Sequence, residues 1–405
     1  MMALLHRAAW VLPIAVPPIR DGWVLVEKGR ILDLGSGEPP EVSGPGNSKP
    51  PRADRLAILP GLVNAHAHLE LSCLRGKVAP ARTMPEWVET LMALRRNVQE
   101  GPGEGIAESI LGMRQSGTAL VGDVTNTLAS HEPLADSSLA GRLFYELLGF
   151  NPQDPRRLVA DARTRLAELT PVEWLRASIV PHAPYSVSRG LFREIAAASV
   201  EGPVSVHVAE SPEEIEFLQS GTGPWKRLLQ EFGVWNEGWI PPGTGPVEFL
   251  DSVGLLNARL LAVHCVQLSD PELGRLAAAG ATVVTCPRSN RWTGVGSPPI
   301  ARFYDAGVRV AIGTDSLASV DDLNMFNEMA AVHALAPEIP ASRILHSATL
   351  AGAEALGFDD DLGSIEPGKQ AELVAVRVPD DVTDVEQYLV SGRVEPGDIR
   401  WLDAY

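Results

Sequence analysis

The sequence predicts an α/β protein: a (β/α)8, TIM-like barrel with a small β-sandwich domain built from both termini. Strand-like and helix-like segments alternate through the middle of the 405-residue chain, short strands without helices occupy both ends, and metal-competent side chains end several of the middle strands. We place the N-terminal part of the small domain at 1–57, the barrel at 58–352 and the C-terminal part of the small domain at 353–405.

Eight apolar, strand-like runs follow one another through the middle of the chain. They are LPGLVNAH, TALVGDVT, RLFYELLGF, RASIVPHAP, GPVSVHVAE, ARLLAVHC, ATVVTCP and VRVAIGTD. Helical patterns such as MPEWVETLMALRRNV, IAESILGMRQS, PRRLVADARTRLAELT and DPELGRLAAA lie between them. Eight strand–helix units over about 250 residues are typical of a (β/α)8 barrel.

A doubly wound open sheet is the structural alternative. Its dinucleotide fingerprint GxGxxG is missing after the first strand, and GTGPWK at 221–226 lacks the spacing of a phosphate-binding loop. The barrel is therefore the favoured interpretation.

Both ends of the chain read as short strands separated by glycine and proline. The N-terminal runs are WVLPIAV, GWVLVEKG and RILDLG, followed by the loop GEPPEVSGPGNSKPP. The segments GSIEPGKQAELVAVRV and DVEQYLVSGRVEPGDIRWLDAY repeat the strand pattern at the other end. We expect the two termini to meet in one small β domain.

Composition narrows the classes of function. A hydrophobic content of 45% with 21% charged residues is ordinary for a globular protein, and a net charge of -17 argues against a nucleic-acid partner. The three cysteines are too widely spaced for a disulfide framework, which favours a reducing cytoplasm. Prolines interrupt the apolar stretch near the N-terminus, which argues against a signal peptide. No apolar run is long enough to cross a membrane.

Metal-competent residues end strand after strand of the predicted barrel. In chain order they are His66 and His68, His182, His207 and Glu210, His264, and Asp315. Each histidine taken alone is more often structural than functional. Because the carboxyl ends of barrel strands meet at one rim, the set as a whole indicates a metal site.

The chemistry of this set suits a hydrolytic metal centre. Three imidazoles and a carboxylate can hold zinc with one position open, and iron or manganese accept the same donors. Such an ion lowers the pKa of its bound water molecule to about 7. Asp315 can accept the proton of this water, Glu210 can pass a proton to a departing nitrogen, and His264 can stabilise developing charge.

The segments PGLVNAHAHLE, PHAPYS, HVAE, AVHC, CPRSN, GTDS and GSIEPGKQAELV resemble the amidohydrolase superfamily, in its single-metal deaminase branch. The resemblance covers nearly the whole chain, and the one small departure is Glu372 where relatives commonly have Asp. It implies a metal-dependent enzyme in which Glu210 is the proton shuttle and His264 the second catalytic histidine. The metal ligands that it implies are His66, His68, His207 and Asp315.

The number of metal ions follows from the fourth strand. Two-metal members of the superfamily often carry a carboxylated lysine there, whereas this chain has RASIVPHAPYS and no lysine. One divalent ion, with zinc first and iron or manganese as alternatives, is therefore expected. Glu146 in FYELLG is able to bridge two metals in principle, but contact with substrate is the preferred interpretation.

The segments HLELS, LRGK, PHAPYS, CPRSN and GTDSLAS look like those of aminodeoxyfutalosine deaminases of menaquinone biosynthesis. That likeness implies hydrolytic deamination of 6-amino-6-deoxyfutalosine, a purine nucleoside that carries a carboxyphenyl group. The alternatives are a methylthioadenosine/adenosylhomocysteine or other adenosine-type deaminase, and a chlorohydrolase or formimino-compound hydrolase. A scaffold without a metal is disfavoured because the ligand set is complete.

Six residues are candidates for substrate contact. Glu70 shares the strand face of His66 and His68, and its alternative role is to orient a ligating histidine. Arginines in this region suit a substrate carboxylate, although each alone is more often a surface residue paired with an acid. The candidates are Glu70, Arg75, Glu146, His182, Arg288 and Asn290.

The helical stretch PEWVETLMAL follows the first barrel strand and is a candidate lid or dimer surface. Its alternative role is ordinary core packing. If this stretch is a dimer surface, the protein is expected to form a homodimer.

Overall fold

The computed structural model describes residues 3–40, 55–97, 103–199 and 201–402. Within these ranges the chain forms a parallel barrel and one small sheet contributed by both termini. Most of the predicted loop at 37–51 lies outside the described residues.

Eight parallel strands form the barrel, and each coincides with one of the predicted apolar runs. They are β5 (Leu62–Ala67), β6 (Thr118–Thr125), β7 (Ala140–Leu147), β8 (Leu175–Pro181), β9 (Val204–Val208), β10 (Leu260–His264), β11 (Thr282–Thr285) and β12 (Arg309–Ile312). Strands β5 to β8 form one continuous ladder and β9 to β12 another. The predicted α/β barrel is confirmed.

Two seams join the ladders into a closed barrel. At the first, the amide of His207 in β9 donates to the carbonyl of His182 after β8, at 2.9 Å. At the second, the carbonyl of His66 in β5 accepts from the amides of Thr314 and Asp315 after β12, at 3.1 and 3.0 Å. Closure leaves no barrel edge among the eight strands, and it brings the ends of β5, β9 and β12 to one rim.

Helices cover the outside of the barrel and its connections. The α-helices before the C-terminal segment are α1 (Met84–Asn97), α2 (Ile106–Gln115), α3 (His131–Ala135), α4 (Pro155–Ala167), α5 (Arg189–Ala198), α6 (Pro212–Ser220), α7 (Pro224–Glu231), α8 (Pro246–Ser252), α9 (Asp270–Ala278), α10 (Pro287–Trp292), α11 (Ile300–Asp305), α12 (Met325–Leu335), α13 (Ala341–Ser347) and α14 (Leu350–Leu356). Several of these helices begin at a side-chain cap. Asp154 accepts from the amide of Arg157, and Ser269 forms a capping box with Glu272.

The termini meet in a six-stranded sheet, as predicted. Its strands are β1 (Leu4–Val11), β2 (Ile19–Glu27), β3 (Arg30–Ser36), β4 (Leu56–Pro60), β13 (Leu373–Arg377) and β14 (Ile399–Trp401), in the order β14-β13-β4-β1-β2-β3. All neighbours are antiparallel except β1 and β4. Within the described ranges this is a single sheet, without a second facing sheet to complete a sandwich.

One predicted terminal strand is wrong. The start of DVEQYLVSGRV forms the helix α15 (Val385–Leu389), because the side chain of Asp384 caps it by accepting from the amide of Gln387. Val385 and Leu389 lie four residues apart and are both buried, which suits one helix face. A 3-10 turn (Pro396–Asp398) then leads into β14.

In the described part of the chain, no helix is both long enough and apolar enough to cross a bilayer.

Gly313 offers a test of the seam between β5 and β12. A Cβ atom added there would lie 2.7 Å from the Cβ of His66 and 2.8 Å from its carbonyl oxygen. We expect Gly313→Ala to destabilise the protein by about 1–3 kcal/mol, because neither the strand nor the histidine can move freely. Thermal unfolding measured by circular dichroism should show a clearly lower Tm than the wild type.

Gly274→Ala is the matched control, since an added methyl group in α9 meets no atom within 4 Å. Alanine favours a helix over glycine by up to about 1 kcal/mol, so this variant should keep or raise the Tm. Equal unfolding temperatures for the two variants would contradict the close approach at Gly313.

Candidate metal centre and active site

Three histidine side chains converge at the rim where the barrel strands end. The Nε2 atoms of His66 and His68 lie 3.2 Å apart, and the Nε2 atoms of His68 and His207 are also 3.2 Å apart. His66 belongs to β5, His68 follows that strand directly, and His207 belongs to β9. The i, i+2 spacing therefore aims the first two imidazoles to the same side, where β9 supplies the third.

Asp315 adds a carboxylate from the opposite seam. Its Oδ1 atom lies 3.7 Å from Nε2 of His68, and its Oδ2 atom accepts from the hydroxyl of Ser289 at 2.6 Å. The backbone of Asp315 has a φ of 63°, a left-handed conformation that is unfavourable for a residue other than glycine. Strain of this kind is typical of sites where the fold fixes the aim of a side chain.

Burial keeps the three imidazoles neutral. Desolvation is the largest cause and mutual repulsion adds to it, lowering the pKa of His68 to about 3, that of His207 to about 4 and that of His66 well below its usual value. Neutral imidazoles present lone pairs, which suit a metal ion and repel one another without one. Tetrahedral zinc at 2.0–2.1 Å from two nitrogens places them about 3.3 Å apart, so the residues present fit such an ion.

The orientation of His207 is fixed by its second nitrogen. Its Nδ1 donates to the carbonyl of His182 at 3.2 Å and lies 3.4 Å from Oε1 of Glu146. This leaves the Nε2 lone pair facing His68. Glu146, His182 and His207 form a second group of possible ligands, but it shares His207, whose Nδ1 already carries a proton.

Glu210 lies just beyond β9 with its side chain enclosed. The residue is 1% exposed, and neither carboxyl oxygen has a hydrogen-bond partner within the described structure. Oε1 lies 3.6 Å from Nε2 of His264. Burial first, and then the charges of Asp315 and Glu214, raise the pKa of Glu210 well above its usual value. An acid that holds its proton in such a place can deliver it.

Glu214 is a site residue that sequence reasoning missed. Its carboxylate accepts from the amides of Ala209 and Glu210, both at 2.9 Å, and so fixes the turn that carries Glu210. Ala209 has a φ of 50°, which shows how tight this turn is. The one local signal was the sequence ESPEE, in which Ser211 caps the start of α6 by accepting from the amide of Glu214.

His264 is held by Asn290, which we predicted to contact substrate. The side-chain amide of Asn290 donates to Nδ1 of His264 at 3.0 Å, so the proton of the imidazole is on Nε2, facing Glu210. Asn290 is fully buried, and His264 has a φ of 72°. The structure thus places Asn290 against a candidate catalytic side chain.

The expectation that Glu70 shares the strand face of His66 and His68 is wrong. Strand β5 ends at Ala67, and the chain enters a 3-10 helix (Leu69–Leu74), so the alternation of an extended strand no longer applies. The structure turns the Glu70 carboxylate towards the loop that follows β6.

Glu70 accepts five hydrogen bonds from residues 125–129. The carboxylate accepts from the amides of Asn126, Thr127 and Ala129 at 3.0, 3.0 and 3.2 Å, and from the hydroxyls of Thr125 and Thr127. The side chain of Asn126 in turn donates to Oε2 of Glu146 at 2.9 Å. A chain of contacts therefore runs from Glu70 through Asn126 and Glu146 to His207.

The two predicted arginines are paired with acids of this chain. Nη1 of Arg288 lies 2.9 Å from Asp322 and 3.5 Å from the buried Glu328. Arg75 is half exposed and lies 4.0 Å from Glu108. Neither guanidinium is left uncompensated to receive a substrate carboxylate.

His182 lies beside the three-histidine cluster. Its ring centroid is 4.8 Å from that of His207, and its Nδ1 contacts the hydroxyl of Ser186 at 2.5 Å. Burial lowers the pKa of His182 to about 4, so it is a neutral donor or acceptor at neutral pH.

Asp123, a second missed residue, anchors the segment after His68. Its Oδ1 accepts from the amide of Leu69 at 2.9 Å, while the buried Oδ2 has no partner within the described structure. Burial raises the pKa of Asp123 to about 7.

Comparisons with known proteins agree on one family. The sequence profile described as the amidohydrolase family matches residues 57–395. The 5-methylthioadenosine/S-adenosylhomocysteine deaminase of Desulforudis audaxviator is 30% identical, over 93% of this chain and 85% of that protein. The aminodeoxyfutalosine deaminase of Deinococcus radiodurans is 33% identical, over 74% of this chain and 73% of that protein.

Solved structures share the fold along almost the whole chain. An adenosine deaminase from Xanthomonas campestris with bound zinc has a TM-score of 0.78 and 27% identity, covering 99% of this chain and 93% of that one. The aminofutalosine deaminase of Helicobacter pylori in complex with methylthio-coformycin has a TM-score of 0.82 and 23% identity, covering 98% and 99%.

Asp123 makes a pH-dependent contribution to the stability of the folded protein, and this contribution can be measured. The pKa of Asp123 is about 7 in the folded protein, and its usual value is 3.8. Between pH values of about 4 and 7, Asp123 therefore holds a proton in the folded protein that it releases in the unfolded chain. This contribution to stability therefore falls as the pH rises through that window. Asp123→Asn keeps the acceptor for Leu69 and removes the titration.

We expect the Tm of the wild type, relative to Asp123→Asn, to fall between pH 5 and pH 8. Histidine titrations affect both proteins equally and cancel in this difference. Asp305→Asn, at an exposed position, is the control for the substitution itself. A difference that stays constant over this pH range would refute the buried, protonated carboxyl.

Proposed function

We propose that this chain, which belongs to the amidohydrolase family, is a metal-dependent hydrolytic deaminase of a 6-aminopurine nucleoside. The observation that carries the proposal is the convergence of three neutral imidazoles, Asp315 and the enclosed carboxyl of Glu210 at one rim. The favoured substrate is 6-amino-6-deoxyfutalosine, and methylthioadenosine or adenosylhomocysteine is the second candidate. The names of the relatives from Deinococcus and Desulforudis support these two candidates.

One divalent ion is proposed for the centre, with zinc first and iron or manganese as alternatives. The residues that would hold it are His66, His68, His207 and Asp315. When bound, the ion supplies a water of lowered pKa and so makes hydroxide available near neutral pH. A single ion is favoured because the second group of possible ligands, Glu146, His182 and His207, shares His207 with the first group and is not a separate metal site.

The proton-handling groups surround the place where the amine must leave. Glu210 holds a proton on a carboxyl oxygen that no protein group uses, so it can deliver that proton to the purine ring or to the departing amine. Asp315 can take up the proton of the attacking water, because only its Oδ2 is engaged by Ser289.

His264 stabilises charge beside Glu210. Its Nε2–H faces the site because Asn290 occupies Nδ1, and a neutral donor fixed before the reaction can stabilise the developing negative charge. His182 lies at the edge of the same space and is a candidate for contact with the base or sugar. These roles assign a separate task to each buried group.

Ammonia release from a substrate panel tests the proposal. The zinc-loaded protein should deaminate 6-amino-6-deoxyfutalosine with a kcat/KM of about 10⁴ M⁻¹ s⁻¹ or more, and methylthioadenosine and adenosylhomocysteine more slowly. Removing the metal with a chelator should abolish turnover, and zinc should restore it. If only a free base or a chlorotriazine is turned over, the nucleoside assignment is wrong although the hydrolytic mechanism survives.

Glu210→Gln tests the proton-transfer role separately from metal binding. We expect kcat to fall by about 10²- to 10⁴-fold, because the amide cannot transfer the proton. Metal content, measured by atomic emission, should not change since Glu210 is not among the proposed ligands. Glu237→Gln, at an exposed position, is the matched control and should retain activity. Full activity in Glu210→Gln would remove this residue from the mechanism.

A further inference from the structure

Helix α1 lies over the rim that carries the site. Its buried residues Met84, Trp87 and Leu91 pack in an apolar cluster with side chains from loops that follow barrel strands. We call this group the cap cluster; its other members include Val78 after β5, Ala183 and Tyr185 after β8, Val266 after β10, and Ala318 after β12. Because these loops all emerge at the carboxyl ends of the strands, α1 covers the entrance to the site.

Arg95 continues the packed face of this helix. Trp87, Leu91 and Arg95 are spaced by four residues, so they form one stripe along α1. The first two side chains are buried in the cap cluster, and Arg95 is the exposed last member of the stripe. The face that packs on the site thus ends in a guanidinium.

The charge of Arg95 reaches the buried groups of the site. It lowers the pKa of Glu146 and that of His68, as a smaller cause than desolvation in both cases. Its neighbour Arg96 is engaged differently, since its Nε donates to the carbonyl of Met92 on α1 itself. The two adjacent arginines are therefore not equivalent.

Two other arginines near this rim are paired with acids. Arg288 pairs with Asp322 and Glu328, and Arg227 of α7 pairs with Glu89 of α1. Arg95 makes no ion pair or hydrogen bond with any residue in the described ranges. A guanidinium that has no acidic partner in the described ranges and lies at the entrance of a site is suited to bind an anion, in a protein of net charge -17.

We infer that Arg95 determines specificity by binding a carboxylate on the substrate, at the end remote from the base that is deaminated. The inference rests on the proposed function, because the base must lie at the metal centre for its sugar substituent to point towards α1. The enzyme then prefers adenine nucleosides that bear a carboxylate over neutral ones. Of the candidate substrates, 6-amino-6-deoxyfutalosine and adenosylhomocysteine carry a carboxylate, and methylthioadenosine lacks one.

Two ligands that differ only in the charge of the carboxylate isolate the contribution of Arg95 to substrate binding. The zinc-loaded wild type and Arg95→Gln are compared on 6-amino-6-deoxyfutalosine and on its methyl ester. We expect the substitution to lower kcat/KM for the acid by about 10- to 100-fold, mainly through KM, and to leave the ester nearly unchanged. Arg95→Lys, which keeps the charge, should recover part of the loss.

Arg96→Gln is the matched control on the neighbouring position and should preserve the preference for the acid. Equal losses for acid and ester in Arg95→Gln, or no loss for either, would overturn the inference. Dissociation constants of both ligands, measured by calorimetric titration, decide the question even if neither is turned over. In that case the absence of turnover refutes the proposed substrate, while the ratio of the two constants still confirms or refutes the role of Arg95.

Discussion

The seam between β5 and the segment after β12 is the contact on which the site depends. There one carbonyl, that of His66, accepts both the amide of Thr314 and that of Asp315. Gly313 makes this possible, because a Cβ atom at that position would collide with His66. The seam closes the barrel and places Asp315, at the end of the last strand, within 3.7 Å of His68, just beyond the first.

Desolvation then sets the protonation states of the side chains that meet at this rim. It lowers the pKa of each histidine, so that the imidazoles present lone pairs, and it raises the pKa of Glu210, so that this carboxyl keeps a proton. The same physical cause acts in opposite directions because burial always disfavours the charged form. One buried rim therefore presents both the neutral imidazoles that we propose as ligands and the protonated carboxyl that we propose as the proton donor.

A layer of hydrogen-bonded supports fixes these groups from behind. Glu214 holds the turn of Glu210, Asn290 sets the tautomer of His264, and Glu70 organises the loop that carries Asn126. Each support acts on a group with a proposed role or on a residue that contacts such a group, so its loss would change the position of that group. Helix α1 packs over this rim through Met84, Trp87 and Leu91.

The sequence by itself determined the order of the barrel strands and which residues end them, because alternating apolar runs and their polar ends are local patterns. On that basis His66, His68, His207 and Asp315 were identifiable among the strand-end residues, and the resemblance to the amidohydrolase superfamily implied that these four bind the metal. Only the tertiary structure decided what the other polar groups face. Glu70 turns to a loop more than fifty residues away, Arg288 is neutralised by acids of a later segment, and the residues of DVEQYLV form a helix rather than a strand. Pairing and burial depend on contacts between distant parts of the chain, which no local pattern encodes.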